Sequence, residues 1–143
     1  MTIRPFEIAD EPALVHLWNR CGLTRPWNDP HKDIARKLAV RPDLLLIAAE
    51  GSEVVGSVMV GYDGHRGWIN YLAVSPEFRM RGLGRALMAE AEARLLREGC
   101  PKVNLQVRAN NEGVVAFYQR LGYAIEEMVS MGKRLIIDAP RPD

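Results

Sequence analysis

The sequence predicts an α/β fold of the α+β, mixed-sheet kind, built as one domain over residues 1–143 with helices on both faces of the sheet. Three observations predict it. Leu44 to Glu50, the turn Gly51-Ser52 and Glu53 to Tyr62 read as a hairpin, and Trp68 to Val74 extends it into a three-strand meander. That third strand runs through a glycine-bearing loop into Leu83, Leu87, Ala91 and Leu95, which recur every fourth residue as one helix face. Lys102 to Val107 then reads as another strand, and Asn111 to Leu121 as another helix. Hairpin and crossover connections together require a mixed sheet.

The remaining elements follow in chain order. Ile3 to Ile8 reads as a first strand, and Pro5 places it at an edge. Asp10 is a candidate N-cap, Pro12 suits a first turn, and Leu14, Leu17, Trp18 and Cys21 share a helix face that Gly22 ends. Asp29-Pro30 opens a second helix with Ile34 and Leu38 four apart, ending before Pro42. The long helix reaches about Glu98, where Gly99 and Pro101 stop it. Tyr123 to about Ile137 reads as a final strand or hairpin. Ala139 to Asp143 reads as a frayed tail.

The bulk numbers exclude several classes. A hydrophobic fraction of 48% and a charged fraction of 26% are ordinary for a globular domain. A net charge of +1 gives no general basicity for nucleic acid. No apolar run approaches a membrane span, and Met1 to Glu7 carries no signal core, so the expectation is a cytoplasmic protein with no membrane partner. Cys21 and Cys100 lack ligand spacing, and His16, His31 and His65 are scattered. No metal is expected.

Arg79-Met80-Arg81-Gly82-Leu83-Gly84 is the most informative stretch. It lies between a strand and a helix. Its glycines let a ligand approach the backbone, and the first helical N–H groups have no intrahelical partner. With the helix dipole and Arg79, Arg81 and Arg85 nearby, this makes a good seat for a pyrophosphate. A Rossmann fingerprint is excluded because Leu87 stands where a third glycine is needed, and the Gly-Lys-Ser/Thr of a P-loop is absent.

The remaining pattern, Arg-x-x-Gly-x-Gly, resembles the acetyl-CoA signature of the GNAT N-acetyltransferase family. Asn111-Glu112-Gly113-Val114-Val115-Ala116-Phe117-Tyr118 and Leu121-Gly122-Tyr123 are similar to a second family feature. There an Asn opens the last helix, an aromatic-Tyr pair sits on it, and Gly with an aromatic follows. The order of elements is similar from end to end. Trp27-Asn28-Asp29-Pro30 and Tyr62-Asp63-Gly64-His65-Arg66-Gly67 further resemble a small bacterial subgroup, the YpeA-like proteins.

The resemblance implies a central, mostly antiparallel sheet in which one parallel strand pair splays apart to admit acetyl-CoA. Those strands are the one ending at Val74 and Lys102–Val107. Leu72 and Val74 then offer backbone groups to pantetheine. The amides from Arg81 through Gly82, Leu83 and Gly84 to Arg85 hold the pyrophosphate, with Arg79 or Arg81 adding charge. Asn111 and Tyr118 complete the cofactor side. The implied reaction is direct transfer of acetyl to a primary amine of a small molecule or peptide. Tyr118 suits protonation of the leaving thiolate, because an ordinary phenol is protonated at neutral pH. A backbone N–H near Val74 faces the carbonyl oxygen. Arg25, Trp27, Asn28 and Tyr71 line the acceptor side.

One position departs from the pattern of the ribosomal-protein acetyltransferase subgroup. Its Glu on the penultimate strand is Gln106 here, and an amide cannot take a proton. The base is then Asp63, His65, Glu77 or a water chain. His65 has the best unperturbed pKa, while an exposed turn histidine and a turn-forming Asp63 are the bland readings. Three functions therefore compete: an acetyl-CoA-dependent N-acetyltransferase, a non-catalytic acyl-CoA-binding module that has lost its base, and a structural dimer partner without ligand. The resemblance also allows a homodimer, with no interface legible in the residues.

Overall fold

The structure is a computed structural model that describes residues 1–138. A five-stranded sheet in the order β1-β2-β3-β4-β5 forms its centre, with β1 at Thr2–Pro5, β2 at Leu45–Glu50, β3 at Glu53–Tyr62, β4 at Gly67–Val74 and β5 at Val103–Leu105. Helices α1 (Glu11–Arg20), α2 (Pro30–Ala39), α3 (Leu83–Arg97) and α4 (Glu112–Arg120) accompany it. β1 to β4 pair antiparallel, and β4 pairs with β5 in parallel. The mixed sheet is therefore the expected one. Pro5 ends the edge strand β1 opposite Leu46.

β2 explains the two-sided core. Its residues Leu45 to Ala49 are all buried, and successive side chains leave opposite faces of a strand. Leu46 and Ala48 join Val58, Val60 and Ile69 against Leu83, Leu87, Ala91 and Leu95 of α3. Leu45 and Ile47 join Leu14, Leu17 and Trp18 of α1 and Ile34 of α2. The helix-spaced apolar residues read from the sequence are the ones that fill both layers.

Besides the first strand, expected over Ile3 to Ile8 but ending at Pro5 because Ile8–Asp10 forms a 3-10 turn, three expectations need correction. Asp10 precedes α1, but its carboxylate accepts Arg4 at 2.8 and 2.9 Å and the Glu7 N–H at 2.8 Å. A short 3-10 turn, Ile8–Asp10, occupies the place where the cap was expected and diverts the side chain. The strand expected over Lys102–Val107 is shorter, because β5 diverges from β4 after Leu105.

The third correction concerns the strand or hairpin expected over Tyr123 to Ile137: no strand forms there among the described residues. Side chains, not backbone ladders, tie this segment beside β5. Lys102 Nζ meets Glu126 at 2.5 Å, and Gln106 Nε2 donates to Ser130 Oγ at 2.6 Å. The chain then leaves β5, and Asp138 docks on Arg36 of α2. Without a ladder, Ile125, Met128, Val129, Met131, Leu135, Ile136 and Ile137 stay exposed. The tail expected to be frayed, from Ala139 on, lies outside the described residues.

Candidate active site

β4 and β5 share three rungs, Gly67↔Val103, Trp68↔Asn104 and Ile69↔Leu105. Beyond Ile69, β4 continues to Val74 while β5 has ended. Ser75 N–H donates to Val55 O at 2.8 Å, so by strand alternation the backbone groups of Val74 point to the opposite edge, toward the gap. There the Val74 carbonyl accepts Arg79 Nε at 3.3 Å and the Cys21 thiol at 3.4 Å. An open strand edge of this kind presents main-chain donors and acceptors to whatever enters.

The strand opens at a bulge. Ser57 pairs with Ala73 and Met59 with Asn70, so Tyr71 and Leu72 oppose Val58 alone. Tyr71 takes φ 51°, an uncommon conformation for a large side chain. Its ring stacks on Trp18 with centroids 3.7 Å apart. Trp18 Nε1–H donates to Ser57 Oγ at 2.9 Å, and Ser57 Oγ–H donates to the Tyr71 carbonyl at 2.8 Å. The Tyr71 hydroxyl donates to Asp33 Oδ2 at 2.7 Å and accepts from Asn28 Nδ2 at 3.2 Å. Burial, then the hydrogen bond to Asp33, raises the Tyr71 pKa.

The end of β4 leads through Pro76–Phe78 into the glycine loop. Gly82 adopts φ 76° at the N-cap of α3 and contributes no side chain to the helix start. The amides of Leu83, Gly84 and Arg85 therefore face outward without intrahelical partners. Arg79, Arg81 and Arg85 are exposed around them, and the Arg81 guanidinium lies 5.0 Å over the Phe78 ring. A Cβ on Gly84 would meet Phe117 Cζ at 3.1 Å, so this glycine lets α4 close on α3. The residues present suit an anion with two phosphates.

Tyr118 is buried in the core layer that holds Leu83, with Leu72, Val74 and Phe117 packed against it. Its ring meets Phe117 and Tyr123 edge-on at 5.1 and 5.7 Å. Its hydroxyl has no hydrogen-bond partner among the described residues, and burial pushes its pKa up to about 12. Asn111 caps α4, accepting the Val114 N–H at 3.3 Å.

Other expected residues stand apart. Asp63 and His65 lie in the β3–β4 turn, beside the Tyr62↔Gly67 pair. Gly67 is about 13 Å along the strand from Tyr71, at the end of β4 that still pairs with β5. Asp63 Oδ1 accepts the His65 and Arg66 N–H groups at 2.8 and 2.7 Å, and these bonds lower its pKa. Glu77 is nearer, but it binds Arg20 at 2.5 Å and Ser75 Oγ at 2.6 Å, with its pKa lowered to about 2 chiefly by Arg20. Arg25 donates to the Gly22 and Thr24 carbonyls at 2.7 and 2.9 Å and bridges to Asn28. Trp27 beside it is exposed. Sequence reasoning missed Asp33. An aspartate in the first turn of a helix reads as a dipole partner, and only the bulge brings Tyr71 to it.

Comparison with known proteins matches residues 11–123 to the acetyltransferase (GNAT) family. The chain is 51% identical over 138 residues to an acetyltransferase of Pectobacterium atrosepticum, covering 96% of this chain and 98% of that one. It is 50% identical over 139 residues to an acetyltransferase of Sodalis glossinidius, with the same coverage of 96% and 98%. Among solved structures it is similar to the aminoglycoside 6'-N-acetyltransferase of Acinetobacter haemolyticus, with a TM-score of 0.73 and 18% identity over 95% of this chain and 99% of that one. It is also similar to the ribosomal-protein-S18-alanine N-acetyltransferase of Escherichia coli, with a TM-score of 0.71 and 23% identity over 85% of this chain and 76% of that one. At these identities the two structures speak to the fold.

Proposed function

Because the chain belongs to the acetyltransferase (GNAT) family, we propose that it is an N-acetyltransferase moving an acetyl group from acetyl-CoA to a primary amine of a small molecule or peptide. The observation that carries this reading is the parting of β4 from β5 after Ile69, with the first amides of α3, which have no intrahelical partner, at the end of the opened strand. The amides of Leu83, Gly84 and Arg85 hold the pyrophosphate, and Arg79, Arg81 and Arg85 add charge. Leu72 and Val74 pair with pantetheine along the strand edge. A backbone N–H near Val74 stabilises the carbonyl oxygen as charge develops.

Tyr118 protonates the departing sulfur. Its raised pKa keeps the proton in place through the neutral range and makes it a weak acid. The sulfur becomes a thiolate in the same apolar surroundings, where desolvation raises its own affinity for that proton. Asn28, Trp27, Arg25 and Tyr71 form the acceptor side, on the face covered by α1 and α2. Asp63 and His65 take no step in this mechanism, because their turn stands at the paired end of β4.

Calorimetry with coenzyme A and release of free thiol from acetyl-CoA over a panel of amines test this reading. The expected result is binding, a rise in Tm with coenzyme A, and thiol release that depends on an added amine. Binding without turnover on any amine makes the chain an acyl-CoA-binding module. No binding at all overturns the assignment of the gap.

A further inference from the structure

Resting on that reading, we propose that the acceptor's ammonium proton leaves through the Tyr71 hydroxyl to Asp33, so that Tyr71 is a second catalytic residue and Asp33 positions it and receives the proton. Some group must take this proton, because a protonated amine has no lone pair with which to attack. Gln106 is an amide and donates to Ser130. Asp63 is bound by two backbone amides at the far end of β4. Glu77 is committed to Arg20 and Ser75. Asp33 is the carboxylate that reaches the unpaired half of β4, through the 2.7 Å bond from Tyr71.

The geometry suits a relay. Tyr71 lies two residues past the last β4–β5 rung, and its stack on Trp18 turns its hydroxyl to the α1–α2 face. Tyr118 is in the opposite layer, against α3. Acid and base thus flank the gap from the two faces of the sheet. Tyr71 Oη accepts one bond, from Asn28, and keeps a second lone pair for the incoming ammonium. The groups facing Asp33 are Tyr71 from β4, Asn28 from the loop before α2, and Arg36 one turn on, at 3.2 Å. Arg36 is shared with Asp138 of the C-terminal segment, which also accepts the Asp29 N–H.

The step balances. The nitrogen forms a bond to the thioester carbonyl carbon, and the C–S bond breaks with its electron pair going to sulfur. Before that attack the ammonium passes one proton to Tyr71 Oη as the Tyr71 proton passes to Asp33 Oδ2, and the nitrogen sheds its second proton as the tetrahedral adduct collapses to the amide. Tyr118 supplies the proton that sulfur takes. The second nitrogen proton leaves to solvent, which reprotonates Tyr118, and Asp33 then gives up its proton, so one proton is released per turnover.

The test measures thiol release from acetyl-CoA by the full chain and by Asp33→Asn and Tyr71→Phe. The amines are spermidine, tyramine and alanyl-glycine amide, from about pH 6 to about pH 10. At neutral pH, kcat/KM for the amine is expected to fall on the order of 100-fold in either variant, with KM for acetyl-CoA unchanged. The deficit shrinks as pH rises toward the acceptor's own amine pKa, about 8 for the peptide α-amine and about 10 for the alkyl amines, where the acceptor loses its proton unaided. Asp33→Glu restores part of the rate. Urea midpoints check that each variant is folded. A full rate in Asp33→Asn at neutral pH, or a deficit that is the same at every pH, overturns the relay and leaves the transferase reading standing. Wild-type protein that binds coenzyme A yet releases no thiol with any of these amines overturns the transferase reading and the relay with it.

Discussion

The Phe117 ring covers Gly84 so closely that a Cβ built on the glycine would meet Cζ at 3.1 Å and Cε1 at 3.3 Å. This contact joins the glycine loop to the helix that carries Tyr118. Gly84→Ala gains about 1 kcal/mol of helix propensity and loses about 1–3 kcal/mol to overpacking, so a small net loss is expected in urea denaturation. Gly84→Val adds bulk against the ring and loses more. Both raise KM for acetyl-CoA, because α4 is pushed off the helix start. An unchanged KM in the valine variant would count against the phosphate seat.

Tyr118→Phe removes a hydroxyl that has no hydrogen-bond partner among the described residues, so folding should barely notice. The expected outcome is a kcat lowered on the order of 100-fold with nearly unchanged affinity for coenzyme A by calorimetry. An unaltered kcat rejects Tyr118 as the acid.

Ser57 is fully buried between Trp18 and Tyr71. Ser57→Ala leaves the Trp18 indole N–H and the Tyr71 carbonyl without this partner, at a cost of about 1–3 kcal/mol. Urea denaturation should show that loss. The same variant releases the bulge, so kcat/KM falls as well. Loss of stability with full activity would show that the bulge keeps its shape without the serine.

Asp138 binds Arg36 at 2.6 and 3.0 Å, and this pairing holds its pKa down at about 2. A depressed carboxylate pKa stabilises the folded form above the unfolded value of about 3.9. That contribution fades as pH falls from there through about 2. The protection of amides in residues 124–138 against hydrogen exchange, relative to their intrinsic rates at each pH, should therefore fall below about pH 4. Asp138→Asn should show the faster exchange already at neutral pH. Equal exchange in the two proteins at neutral pH would mean that other contacts hold the segment.

How far the sequence was legible depends on the range of the interaction. The hairpin β2–β3, the face of α3 and the stops at Gly22 and Gly99 rest on period and turn chemistry, which are local. Gly82 was legible for the same reason, since its positive φ belongs to the loop itself. The acceptor-side place of Tyr71 is readable, but its reach to Asp33 depends on the bulge where β4 meets β3, packed against Trp18 of α1. No local pattern encodes that register shift. The tail failed differently. Ile125 to Ile137 has the composition of strands, yet composition says nothing about whether a neighbouring edge is offered in register. Here the side-chain ties to Lys102 and Gln106 and the pull of Arg36 on Asp138 decide its course.

The brevity of the β4–β5 ladder has a mechanical meaning. Among the described residues, three rungs are the main-chain ladder between the four-stranded body and residues 102–138, and the rest of that junction runs through side chains, such as Phe117 on Gly84, Tyr123 on Glu92 and Asp138 on Arg36. A molecule bonded to both lips of this seam acts as a staple. The natural line of fracture in the empty protein becomes its most strongly cross-linked line when loaded, and the last third of the chain should resist a protease far better in that condition.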